Sequence, residues 1–122
     1  MKIIQYLTAI LFFVLYINNM AYAQEDLDEI LDSYPSQENI NYVKELIRSN
    51  PDHPRILEIR FYRASYYASF LGLDNLSKEG YLSQIEEYKD IAKSCDNSNR
   101  LLSFRCNMEI GNILYDALHD QK

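Results

Sequence analysis

The side chains with the most reactive chemistry are few: two cysteines, two histidines and one pair of adjacent glutamates. Cys95 and Cys106 lie close enough in sequence to close a short loop. Bridging a loop of about a dozen residues removes denatured-state entropy equivalent to about 2–3 kcal/mol. An even cysteine count in an exported chain predicts a Cys95–Cys106 disulfide, with two buried thiols as the alternative, because the bond needs α carbons within about 7 Å. His53 stands beside Pro54 and His119 near the C-terminus, neither at a metal-ligand spacing from a cysteine or from the other, so no metal is expected. Gly72, Gly80 and Gly111 are isolated, which leaves no glycine-rich phosphate loop and no expected cofactor. Glu86 and Glu87 would point about 100° apart on a helix, so they read as a solvated face rather than as an acid–base pair. Nowhere do a nucleophile, a base and an orienting group fall into place together, and the sequence therefore predicts no catalytic residue and no enzyme.

The elements that would carry these residues begin after a leader. Residues MKIIQYLTAILFFVLYINNMAYAQ have the order of a secretory signal: Lys2 at the start, an apolar run from Ile3 to Ile17, and the small residues of Ala21-Tyr22-Ala23. Cleavage is expected after Ala23, giving a signal peptide at 1–23 and a single domain at 24–122. An uncleaved anchor would need about 20 apolar residues, and Asn18 and Asn19 interrupt the run. No stable membrane insertion is expected after cleavage. The location expected is periplasmic or extracellular, with the periplasm favoured; there the glycosylation-like triplet Asn75-Leu76-Ser77 carries no meaning.

Removing 23 of 122 residues leaves 99, enough for one small core. Only Lys2 is lost among the charged groups, so the mature charge is 11 − 18 = −7. Such an acidic balance argues against nucleic acid, whose binding needs clustered Lys and Arg, and would steer a basic protein surface toward the domain.

Apolar residues recur at helical intervals and no stretch alternates with period two, which predicts an all-α fold. Leu27, Ile30, Leu31 and Tyr34 outline a short helix ended by Pro35. Ser36 caps a second, with a stripe of Ile40, Val43, Leu46 and Ile47, stopped at Asn50-Pro51. A third runs from the Asp52-His53-Pro54 turn to Gly72, with two apolar faces: Leu57, Phe61, Ala64, Ala68 and Leu71 on one, Ile59, Tyr62, Tyr66, Phe70 and Leu73 on the other. A fourth begins near Asn75 or after Gly80 and buries Tyr81, Leu82, Ile85, Tyr88 and Ala92. After the break Asp96-Asn97-Ser98-Asn99 a fifth reaches about Ala117. It too is two-sided, with Leu101, Phe104, Met108, Tyr115 and Leu118 opposite Cys106, Ile110, Ile113, Leu114 and Ala117.

Three phrases resemble tetratricopeptide repeats: SNPDHP between the second and third helices, GYLSQIEEYKDIAK as a repeat's second helix, and EIGNILY as the start of a first helix. The resemblance covers roughly residues 40–118, without the strict period of about 34 residues. It implies Gly111 as the small spot where paired helices touch, and Ile85 and Tyr88 as inward knobs. The expected architecture is a five-helix bundle or a short tetratricopeptide-like α-solenoid. In the solenoid, Tyr62, Tyr66 and Phe70 would line a concave groove.

Together these features predict an exported helical protein-interaction module. It would bind a protein segment, a basic one by charge, through Tyr62, Tyr66, Phe70, Arg60 and Arg63, side chains of the types that carry most binding energy at interfaces. A homodimer through the aromatic face is a further expectation. The alternative is a small inhibitor or immunity-type protein that blocks an envelope-targeted toxin or hydrolase.

Overall fold

The computed structural model describes residues 2–118, and the side chains of all of these except 16–25. Among them the backbone forms helices and turns and no strand, as the apolar periodicity predicts. His119, and the side chains of Ala21 and Ala23 at the expected cleavage site, lie outside the described residues.

The chain separates into two units, Met1–Tyr34 and Pro35–Lys122. The first holds one helix, α1 (Lys2–Leu31). The expected leader and the expected first short helix are thus continuous in the backbone rather than separate; the reason is local, since neither proline nor glycine occurs before Pro35. From Ile3 to Leu15 its apolar side chains are exposed. No helix among the described residues is long and apolar enough to cross a membrane.

In the second unit, α2 (Gln37–Ser49) starts where the sequence places its cap: the Ser36 hydroxyl accepts from the Asn39 N–H at 3.1 Å. It ends before Pro51, with Asn50 N–H donating to the Leu46 carbonyl. In the following turn the His53 imidazole accepts at Nδ1 from the Arg55 N–H at 2.9 Å. A third helix, α3 (Ile56–Ser65), then breaks at Tyr66, whose φ of −115° and ψ of 40° are non-helical, and one short turn follows, α4 (Tyr67–Phe70). Gly72 closes it at φ +72°, with Gly72 N–H donating to Ser69 O and Leu73 N–H to Ala68 O. This pair of bonds is the Schellman arrangement, and only glycine adopts that φ without strain.

α5 (Lys78–Ser94) is capped by Ser77, whose hydroxyl accepts from Gly80 N–H at 3.1 Å. A 3-10 turn, Asn97–Asn99, leads into α6 (Arg100–Asn112), which continues as a π turn, Ile113–Leu118. Because a π turn is wider than an α turn, each residue advances by a smaller angle. Leu118 is thereby carried round to pack on the core, while Leu114 stays exposed, the reverse of the sides predicted for both.

The core joins Phe61 and Ala64 of α3, Ile85, Tyr88 and Ile91 of α5, and Leu102, Cys106 and Ile113. The Phe61 and Tyr88 rings meet at 5.5 Å, and the Arg105 guanidinium lies 4.5 Å over Phe61. Ile59 and Tyr62, on the other flank of α3, are also buried, on the side where α2 packs and buries Ile40 and Val43. Both predicted flanks of the third helix are therefore dry along α3. Leu71 and Leu73, expected to extend them, are exposed because they lie beyond the end of α4.

Candidate functional site

The partner-binding residues expected on the third helix are occupied internally. Tyr62 and Phe70 are buried and Tyr66 is half-buried. Their rings form an edge-on cluster, with Tyr62 centred 5.1 Å from Tyr66 and 6.1 Å from Phe70. Burial, and after it the neighbouring Tyr66, raise the Tyr62 phenol above the usual tyrosine value. Arg60 and Arg63, half-buried, donate to one oxygen of Glu87 on α5, at 3.3 and 2.7 Å. Glu87 is thus a tie between two helices. Its side chain is 20 % exposed, against 67 % for Glu86, which alone fits the expected solvated face.

A polar ladder lies beside this tie. Gln84 and Tyr88 are one helical turn apart on α5 and both reach α3. Gln84 donates to the Ala64 carbonyl at 2.8 Å, and the Tyr88 hydroxyl donates to Ser65 Oγ at 3.1 Å. In an unbroken helix the Ala64 carbonyl would accept from the Ala68 N–H; the Gln84 amide takes that place, and the break falls at Tyr66. Burial pushes the Tyr88 phenol up to about 12.

The disulfide expected between Cys95 and Cys106 is not formed; both are free thiols. Cys95, at the end of α5, turns its Sγ back to donate to the Ile91 carbonyl at 3.3 Å. Cys106 is fully buried in the core. Burial, with Cys95 nearby, pushes the Cys106 thiol up to about 11, and burial beside Asp96 raises Cys95 as well. Neither is a reactive thiolate at neutral pH. Among the described residues no three His, Cys, Asp or Glu side chains converge as metal ligands.

What stands open is the outer face of α6. Leu102, Cys106 and Ile113 face the core, whereas Leu101, Phe104, Met108 and Tyr115 are 73, 60, 51 and 72 % exposed. Leu101, Phe104 and Met108 recur at intervals of three and four residues, which places them on one side of α6, and Tyr115 follows in the π turn. Gly111 falls in the same stripe. It too is exposed, and nothing lies within 4 Å of where a Cβ would stand, so it is not the point of contact between paired helices that the tetratricopeptide resemblance implies. An open cleft of about 540 Å³, lined by Asp96, Arg100, Ser103 and Asn107, borders Phe104.

The sequence groups Leu101, Phe104, Met108 and Tyr115 on one side of the fifth helix but assigns binding to the third. The signal that singles them out is the alternation of three and four residues through Gly111. Comparison of the chain with protein-family models, curated proteins and solved structures gives no match.

Proposed function

We propose that the chain is an exported helical protein-interaction module with no catalytic activity of its own, a degenerate tetratricopeptide-like stack whose binding face is the outer side of α6 rather than the aromatic flank of α3. The observation that carries this reading is the stripe Leu101, Phe104, Met108 and Tyr115, large apolar side chains left in solvent beside a well-packed core. Contiguous exposed apolar surface of this kind marks contact sites. Export is supported by the composition of residues 1–23 and by the exposed apolar residues of α1 in a unit separate from Pro35–Lys122.

The test is photocrosslinking. With a photoreactive phenylalanine at position 104, irradiation in the native cell is expected to yield a covalent adduct with a polypeptide, lost when Met108→Asp is added. Absence of any protein adduct, with the helical circular dichroism intact, would refute the module reading.

A further inference from the structure

We infer that the partner of the α6 face is a second copy of this chain, paired antiparallel through α6 about a two-fold axis at Met108. This inference rests on the reading of α6 as the binding face. Leu101, Phe104, Met108, Gly111 and Tyr115 are separated by three, four, three and four residues, the spacing of a coiled-coil seam.

Three observations select a second copy in the antiparallel sense. The first is shape. With Met108 on the axis, Leu101 of one copy lies level with Tyr115 of the other, and Phe104 lies over Gly111, on the same side of the seam. Gly111 is helical, and nothing in its own chain requires it to be glycine, since a Cβ there would meet open space. A glycine inside a helix weakens it relative to alanine, and close approach of another chain is the physical reason to keep one.

The second is charge. Arg100 and Arg105 occupy the first half of the segment, Glu109 and Asp116 the second. Antiparallel pairing lays the basic half over the acidic half and opposes the helix dipoles, whereas parallel pairing sets like charges level. The third is area. Four side chains more than half exposed offer on the order of 100–150 Å² each, so two copies bury about 1,000 Å², the lower bound for a specific pair.

The experiment is sedimentation equilibrium of the full chain at about 10–100 μM, the range suited to a micromolar pair. The wild type is expected as a reversible dimer of twice 14.4 kDa. Met108→Asp is expected to be monomeric with unchanged circular dichroism. Gly111→Gln, a better helix former, is expected to weaken pairing at least about tenfold while raising the melting temperature of the dilute chain by a few degrees. For the register, a short thiol crosslinker should join Met108→Cys to itself and leave Leu101→Cys unjoined, a pattern that parallel pairing would not give.

A wild type that stays monomeric, or a dimer indifferent to both Met108→Asp and Gly111→Gln, overturns self-pairing. The photocrosslink separates this failure from failure of the module reading: an adduct with a different polypeptide keeps the binding face and removes the second copy, whereas no adduct removes both.

Discussion

Replacing Gln84 by leucine removes one hydrogen bond while leaving the volume at that position nearly unchanged. Gln84 is buried, and its amide is 2.8 Å from the Ala64 carbonyl in the last turn of α3. Carbonyls in a last turn have no later N–H within the helix to accept from, and Ala64 is fully buried, away from water. In Gln84→Leu the carbonyl loses its donor, at a cost of about 1–3 kcal/mol. The second unit spans 88 of the 122 residues (122 − 34), and for a domain of that size each kcal/mol lowers Tm by about 4–8 °C. The expected drop is therefore about 4–24 °C, read by thermal melting at 222 nm. Gln84→Glu should be worse at pH 7, because it turns a carboxylate toward a carbonyl. Burial raises the pKa of that carboxyl, and protonation allows the side chain to donate again, so its deficit relative to wild type should shrink as pH falls from 7 and level off near about pH 4. A Gln84→Leu protein melting within about 2 °C of wild type would refute the reasoning. It would mean that the Ala68 N–H takes the Ala64 carbonyl once the amide is gone.

Alkaline conditions should weaken the fold in a defined window. The folded-state values of Tyr88 (about 12) and Cys106 (about 11) lie above the ordinary 10 and 9, so the unfolded chain loses these protons first as pH rises. Stability is then complete below about pH 9 and falls between about pH 9 and 12, by up to about 3 kcal/mol for Tyr88; Tyr88→Phe should flatten that part of a Tm–pH curve. Glu87→Ala, which strands Arg60 and Arg63 half-buried, should cost about 1–2 kcal/mol in urea unfolding, while Glu86→Ala should cost less than about 0.5. Thiol titration without reductant should count two free thiols after denaturation, with Cys106 unreactive before it; a count of zero would contradict the unbonded pair.

Local punctuation was legible in the sequence and long-range contacts were not. Ser36, Asn50-Pro51 and Gly72 act through bonds to residues a few positions away, so the ends they specify fall where expected. The break at Tyr66 has no such local mark. It coincides with the amide of Gln84, twenty residues beyond Ala64 and brought to its carbonyl only by the packed fold. The same limit explains Glu87, adjacent to a solvated Glu86 but directed at two arginines of another helix. For α6, spacing separated two faces without saying which would be buried. Leu101, Phe104 and Met108 are at least as apolar as Leu102, Cys106 and Ile113, yet it is the second set that joins the core. Intrinsic hydrophobicity cannot decide between sides that a single helix offers equally.

The widened turn at Ile113–Leu118 works like a change of gear near the end of a shaft. Upstream, α6 shows one flank to its own core and another to the surroundings; past the gear change, Leu118 rotates inward to join Ala117 and the outer stripe stops at Tyr115. Wound as an ordinary α-helix, the same residues would swing Leu118 outward and lengthen the outer stripe by one apolar step; deleting one residue between 113 and 117 would restore ordinary winding while keeping Leu118 inward, in the place of Ala117. The length of that stripe is thus set by backbone winding, independently of which side chains the helix carries.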